Sequence, residues 1–128
     1  MTRPDRISFV VVTNGADHEK LDRLILSASY NGESHLKDYQ INVCGDLSGY
    51  SIREEKGQKI NFIPAKDSAA EGKLGEMRNL GCEHSNFDVI CILDDDFILS
   101  PDWAKNIPHS YFDVMTTQVR LPDGGRFW

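Results

Sequence analysis

The sequence predicts an α/β domain with a mainly parallel sheet and flanking helices. Short runs rich in β-branched residues alternate with amphipathic or polar segments, the order expected of right-handed β-α-β units. The first run, residues 7–12, is almost continuously apolar, as in a strand that is covered on both faces. A chain of 128 residues is long enough for one domain with its own core. We therefore expect a single Rossmann-like domain over residues 1–128.

Each predicted strand is a short β-rich run that stops at glycine, proline or acidic residues. The predicted strands cover residues 7–12, 39–44, 59–63, 88–93 and 114–120. Residues 47–57 are polar and are predicted to form a loop, and residues 121–125 a turn.

The predicted helices follow from apolar spacing and from capping residues. The first begins after Asp17, carries one apolar stripe and ends at Asn31-Gly32. That stripe consists of Leu21, Leu24, Ile25 and Ala28.

Two further helices are predicted in the second half of the chain. One runs from Lys73 to about His84 with Leu74, Met77 and Gly81 facing inward, although residues 68–71 also have the pattern of a capping box. A short helix begins at Ser100-Pro101 and is limited by Pro108.

Composition excludes several classes of protein. A net charge of −6 argues against a nucleic-acid-binding surface, and no apolar run is long enough to cross a bilayer. Cys44, Cys82 and Cys91 are odd in number and lie in no CxxC pattern. With no signal peptide before the first strand, we expect reduced cysteines in a cytoplasmic protein. The four histidines lack metal-ligand spacing and are assigned to the surface.

The most informative segment is a buried-type strand that runs directly into Asp94, Asp95 and Asp96 and then returns to apolar residues. Adjacent carboxylates repel one another, and a divalent cation would relieve that repulsion. In an extended chain Asp94 and Asp96 point to the same side, about 6.6 Å apart at Cα, with Asp95 directed the opposite way or toward the loop. We predict that Asp96 and Asp94 hold Mn²⁺ or Mg²⁺. The alternative interpretation is a solvated acidic turn.

Three polar breaks follow predicted strands, namely Thr13-Asn14, Gly45-Asp46 and the three aspartates. In an open parallel sheet the carboxyl ends of the strands line one edge, where ligands bind. We therefore expect one site. Asp46 could accept a hydrogen bond from a base or a ribose hydroxyl, and Thr13 and Asn14 could line the same pocket; ordinary turn and strand-ending roles are the alternatives.

Two cations on the second predicted helix are candidates for neutralising a diphosphate. Lys73 and Arg78 lie five residues apart, so they do not share a helix face closely. Arginine would supply a fork of donors to phosphate oxygens. The alternative is that both are simply solvated.

Taken together, these residues resemble the nucleotide-binding half of the GT-A glycosyltransferases, most closely those of family 2. Residues 7–15 and 42–46 are similar to that family's first two strands, and Arg78-Asn79-Leu80-Gly81 is similar to its Arg-Asn-x-Gly signature. Asp94-Asp95-Asp96 resembles its DxD motif, followed by Leu99-Ser100-Pro101-Asp102-Trp103. The resemblance covers about residues 7–127.

The resemblance implies a truncated GT-A fold and transfer of a sugar from a nucleotide diphosphate-sugar to an acceptor hydroxyl, usually with inversion. It implies that Asp96 coordinates the metal and that Asp94 bonds the ribose or shares the metal, with Asp95 in the same nucleotide-sugar-binding motif. Asp46 would contact the base, Thr13 and Asn14 would line its pocket, and Arg78 would lie near the phosphates.

The chain departs from the family pattern in two places. Val12-Thr13-Asn14-Gly15 stands where the family often has Pro-Thr-Tyr-Asn, so an aromatic residue is missing there. The resemblance also implies a continuation into an acceptor region that supplies the catalytic base, and no residue of 1–128 matches that base. Asp113 and Asp123 do not fit its position.

Three other functions compete with this interpretation. The first is a non-catalytic nucleotide-binding or nucleotide-sugar-binding module; exposed sheet edges would favour pairing with a second copy or a partner chain. A phosphoacceptor receiver domain would need acids where Thr13 and Asn14 stand. A nucleotidyltransferase would need a glycine-rich basic loop after the first strand, which Gly15-Ala16-Asp17 does not provide.

Overall fold

The computed structural model describes residues 4–50 and 59–108 of the chain. The four strands and the two longer helices follow one another in the order that the sequence predicts, with one additional short helix. In chain order they are β1 (Arg6–Thr13), α1 (His18–His35), β2 (Asp38–Gly45), β3 (Ile60–Pro64), α2 (Lys66–Ala70), α3 (Leu74–Glu83) and β4 (Ile90–Asp94).

The four described strands form one parallel sheet in the order β3-β2-β1-β4. β1 is central, with Thr13 opposite Gly45 of β2 and Val12 opposite Asp94 of β4. This arrangement confirms the predicted α/β class, a parallel Rossmann-like sheet with flanking helices.

Apolar side chains pack on both faces of the sheet, which explains the continuous apolar character of β1. Ile7, Phe9 and Val11 point toward α1 and belong to the larger core cluster. The opposite face carries a smaller cluster beneath α2 and α3, made of Val12, Cys44, Ile63, Ala69 and Met77. Helices on opposite faces are the consequence of right-handed crossovers that run in opposite directions from β1.

α1 starts as predicted but is longer than predicted. Asp17 caps it by accepting a hydrogen bond from the Lys20 amide at 3.0 Å, and the four residues of its predicted apolar stripe are buried. None of the described helices, α1 being the longest, has the length and apolar character that crossing a bilayer requires.

The predicted end of α1 at Asn31-Gly32 is wrong, because tertiary packing uses both residues inside the helix. Asn31 is fully buried and hydrogen-bonded. Gly32 lies so close to the Tyr39 ring that a Cβ atom there would come within 2.4 Å of it. The helix therefore continues to His35.

The region between β3 and β4 contains two helices, separated at Gly72, which has a φ of +69°. Ser68 lies inside α2, so the capping-box interpretation of residues 68–71 is wrong. α3 agrees with the predicted helix within one residue at each end. Met77 and Gly81 are buried as predicted, whereas Leu74 is exposed at the first turn.

Residues 100–107 form consecutive turns instead of the predicted short helix. Leu99, Ala104 and Ile107 are nevertheless buried in the core on the α1 side, so packing and not helix formation fixes this segment. The predicted strand at residues 114–120 and the turn at 121–125, together with His109, Asp113 and Asp123, lie outside the described residues.

A row of hydrogen-bonded polar side chains, of which Ser8, Gln40 and Asn42 are buried, crosses the sheet on the α3 side, which the strand patterns did not predict. Ser8 donates a hydrogen bond to Gln40 at 2.8 Å, and Gln40 and Asn61 both donate to the side-chain oxygen of Asn42. The Asn42 and Gln40 amides also donate to the carbonyls of Gly81 and His84 at the end of α3. These bonds satisfy helix carbonyls that would otherwise lack partners and fix the end of α3 on the sheet.

β4 forms one edge of the described sheet and exposes two isoleucines, Ile90 and Ile92. Both lie on the α3 face, because Ile90 is opposite Ser8 and Ile92 is opposite Val10. Association through an exposed edge remains a prediction.

Cys44, Cys82 and Cys91 carry free thiols. Burial raises the pKa of Cys91 to about 12 from an ordinary value of 9.0. The neutral thiol therefore favours folding below about pH 9, and this contribution is lost as the pH rises toward 12.

We expect Cys91 to react with iodoacetamide at least about tenfold more slowly in the folded protein at pH 8 than in urea, because the thiolate fraction falls about a thousandfold and the higher nucleophilicity of a high-pKa thiolate offsets only part of that loss. Peptide mass spectrometry after timed alkylation measures both rates. Equal rates for Cys91 in the two states would contradict the assigned burial.

Candidate functional site

The carboxyl ends of β1, β2 and β4 meet at Thr13. The Thr13 carbonyl accepts a hydrogen bond from the Asp46 amide at 3.2 Å. Its hydroxyl donates to the Asp95 carboxylate at 2.7 Å. The three polar strand ends that the sequence singled out therefore lie together at one edge of the sheet.

This edge includes the point where the strand order reverses. From β1 the chain moves through α1 to β2 on one side, and through α2 and α3 it returns to β4 on the other. Open parallel sheets bind ligands at the carboxyl ends of their strands. The Thr13–Asp95 bond joins the end of β1 to the segment after β4 at this edge.

The acidic turn, which we define as Asp94, Asp95 and Asp96, does not have the extended geometry expected from the sequence. A hydrogen bond of 3.2 Å from the Phe97 amide to the Asp94 carbonyl closes a turn directly after β4. The alternation of side chains stops there. Asp95, expected to point away from the site or toward the loop, therefore faces Thr13, while Asp96 is exposed at the tip.

The three carboxylates of the acidic turn differ in their partners. Asp95 accepts from Thr13, and Asp94 pairs with the Arg78 guanidinium at 3.2 Å. Within the described parts of the chain Asp96 has no hydrogen-bond or ion-pair partner. Its two oxygens are thus the most available for a cation.

Arg78 reaches the acidic turn and Lys73 does not. Arg78 lies on α3 and is half-buried, and its Nε is buried without a hydrogen-bond partner. A buried guanidinium nitrogen left unpaired is costly, which favours an anion at this position. Lys73 instead pairs with Glu71 at 2.8 Å and Glu76 at 3.9 Å.

Asp46 is held ionised at the end of β2. Hydrogen bonds from Ser48 lower its pKa, and the nearby charges of Lys66 and His18 lower the pKa further. The Ser48 amide lies 3.0 Å from the carboxylate oxygen. An ionised, oriented carboxylate can accept from an imino proton or a sugar hydroxyl.

Asn14 is exposed next to this carboxylate loop, at the start of the connection from β1 to α1. Its side-chain oxygen accepts from the Ala16 amide at 3.0 Å, which closes a small turn. Asn14 thus shapes the loop, and its amide nitrogen stays available to a ligand.

The sequence interpretation missed His18, Tyr50 and Lys66. His18 was assigned to the surface, but its Nε2 is buried without a hydrogen-bond partner and its ring lies edge-on to Tyr50 at 5.4 Å. His18, Tyr50 and Lys66 follow β1, β2 and β3, respectively, along the chain. That position after a strand was the signal available in the sequence.

The carboxylates present fit only a cation that takes further ligands from elsewhere. Residues 4–50 and 59–108 contain no group of three or more His, Cys, Asp or Glu side chains arranged to hold a metal ion. Magnesium characteristically uses one or two protein carboxylates and completes its shell with water and substrate phosphates. Asp96 and Asp94 are two carboxylates of the kind that such a site uses.

No protein-family model, curated protein or solved structure matches this chain. The similarity to GT-A glycosyltransferases therefore remains a prediction from motifs.

Proposed function

We propose that this chain binds a nucleotide diphosphate-sugar together with Mn²⁺ or Mg²⁺ and presents the sugar for transfer to an acceptor hydroxyl. The observation that carries the proposal is the position of Thr13, which is bonded to Asp46 on one side and to Asp95 on the other. Buried Thr13 is thus hydrogen-bonded to Asp46, whose carboxylate is suited to a nucleobase, and to Asp95 of the acidic turn, whose carboxylates are suited to a cation.

The proposed roles follow the chemistry of each side chain. Asp46 accepts from the base or the ribose, and Thr13 and Asn14 shape the pocket between them. Arg78 donates its unpaired Nε to a phosphate oxygen while its Nη2 holds Asp94. Asp96, and Asp94 through its second oxygen, hold the metal.

Charge balance supports the metal in this proposal. A diphosphate placed next to three aspartates meets strong repulsion, and among the described residues Arg78 is the cation that pairs with this group. A bound divalent cation would neutralise this charge and stabilise the negative charge that develops on the departing diphosphate. No catalytic base is assigned among the described residues.

Thermal unfolding of the whole chain with sugar nucleotides tests the proposal. We expect UDP-glucose, GDP-mannose or dTDP-glucose to raise Tm only when Mn²⁺ is also present. The metal needs phosphate oxygens to complete its coordination shell, and the diphosphate needs the metal to offset the charge of the aspartates. A saturating ligand at a hundred times its Kd stabilises the protein by about 2.7 kcal/mol, which is several degrees for a chain of this size.

The outcomes separate the candidate functions. Binding accompanied by hydrolysis of the sugar nucleotide, or by transfer to an added acceptor, supports a glycosyltransferase. Binding with no turnover supports the non-catalytic nucleotide-sugar-binding module. The absence of any shift with all three compounds, with and without Mn²⁺, would contradict both.

A further inference from the structure

Three polar side chains on α1 form a ladder that faces the segment after the acidic turn. Ser27, Asn31 and His35 are four residues apart, so they lie on one face of the helix. The ladder's partners are backbone groups of residues 99–104, which we call the anchor segment.

The hydrogen bonds of the ladder fix the anchor segment at successive points. The Ser27 hydroxyl accepts from the Leu99 amide at 3.1 Å. Asn31 donates to the Ser100 carbonyl at 2.9 Å and accepts from the Ala104 amide at 2.9 Å. His35 donates through Nε2 to the Pro101 carbonyl at 2.9 Å.

Asn31 is the central member and is fully buried. Its amide also donates to the Ser27 carbonyl at 3.0 Å, a bond within α1, so the side-chain oxygen is the end that has a partner only while the anchor segment is in place. Buried polar groups that lose their partners are costly, and the anchor segment has no regular secondary structure to satisfy its own backbone. The ladder therefore selects one conformation of this segment.

The anchor segment begins three residues after Asp96. The acidic turn is consequently held at both ends, by the pairing of Asp94 with Val12 in the sheet and by Leu99 on Ser27. Exposed Ile98 and half-buried Phe97 contribute less packing between these two points.

We propose that Ser27 and Asn31 are positioning residues that fix the acidic turn through the anchor segment. The part of this proposal that concerns ligand binding rests on the proposed function. The effect of Ser27 and Asn31 on the conformation of the turn is independent of that function. Without the hydrogen bonds of the ladder, the acidic turn can change its conformation. Asp95 then no longer contacts Thr13, and Asp96 no longer projects beside Asp94, the partner of Arg78.

Asn31→Asp tests this role at nearly constant volume, since it keeps the acceptor for Ala104 and replaces the donor by an oxygen facing two carbonyls. Asn42→Asp is the matched control, because Asn42 is equally buried and hydrogen-bonded but lies on the α3 face of the sheet. Ser27→Ala, which removes the acceptor for Leu99 and a bond within α1 to the Leu24 carbonyl, serves if Asn31→Asp does not fold.

The first readout is amide hydrogen exchange at Phe97, whose N–H closes the acidic turn. We expect exchange there to rise at least about tenfold in Asn31→Asp or Ser27→Ala, at a temperature where each is folded, and to change less than twofold in Asn42→Asp. Equal acceleration in the ladder variants and the control, or none in either, would overturn the positioning role.

The second readout is the Kd for Mn²⁺ with the tightest-binding of UDP-glucose, GDP-mannose and dTDP-glucose. We expect the ladder variants to raise this Kd by about tenfold, while Ser8→Ala, which removes a buried hydroxyl at the amino end of β1, leaves it within threefold. If the unaltered protein binds none of these compounds, the proposed function fails, and exchange at Phe97 still decides whether the ladder fixes the turn. An unchanged Kd in a folded ladder variant would exclude its role in binding.

Discussion

Replacing Asp96 by asparagine is expected to raise the Kd for Mn²⁺-dependent binding of a sugar nucleotide by at least about a hundredfold. Asp96 is exposed at the tip of the acidic turn and has no protein partner among the described residues, so its carboxylate is free to bind a cation. Asparagine keeps the size and removes the charge. The loss should fall on binding alone, because no contact within the described fold depends on this side chain.

Asp88→Asn is the matched control for this measurement. Asp88 is also exposed and lies just before β4, at the amino end of the same strand and therefore at the opposite edge of the sheet. Titration calorimetry of the parent and both variants, with Mn²⁺ and the sugar nucleotide together, gives the comparison. Equal affinity of Asp96→Asn and the parent would exclude Asp96 as a ligand, and an equal loss in both variants would indicate a nonspecific charge effect.

The parallel sheet and the meeting of its strand ends were predictable because they depend on patterns that are local in sequence. Nearly continuous apolar runs indicate strands covered on both faces, and polar residues directly after such runs must lie at the carboxyl edge of a parallel sheet. Thr13, Asp46 and the acidic turn were placed together by that argument. The bonds of Thr13 agree with it.

The orientation of individual side chains at that edge was not predictable from the same patterns. Alternation of side chains holds only while the backbone stays extended, and a turn begins as soon as β4 ends. Asp95 therefore faces the site instead of leaving it. Which basic side chain contacts the acidic turn is likewise decided by tertiary structure. Lys73 pairs with two glutamates and not with an aspartate of the turn.

The error at the end of α1 has a related cause. Asn-Gly is a strong signal for helix termination, because both residues adopt conformations that stop a helix. Here the Asn31 side chain is hydrogen-bonded to the anchor segment, and the absence of a Cβ atom at Gly32 allows the Tyr39 ring to lie against the helix. Distant partners thus outweighed a local propensity of about 1 kcal/mol.

Gly45→Ala is expected to lower the free energy of unfolding by roughly 3–5 kcal/mol, the largest stability effect of a single methyl group that we predict. Gly45 has a φ of +150°, and a Cβ atom there would lie 1.9 Å from the Thr13 carbonyl oxygen. That oxygen belongs to the backbone of central β1 and accepts from the Asp46 amide, so it cannot move without breaking the pairing of β1 with β2.

Gly72→Ala separates the clash from the backbone conformation. Gly72 also has a positive φ, +69°, but a Cβ atom there would meet nothing within 4 Å, so only conformational strain of about 1–2 kcal/mol is expected. Urea unfolding of both variants and the parent, followed by far-UV circular dichroism, measures the difference. Equal losses would show that β1 and β2 do not approach as closely at Thr13 as this geometry requires. A larger loss of stability for Gly45→Ala would support the close approach of β2 to β1 at Thr13, the residue that is hydrogen-bonded to both Asp46 and Asp95.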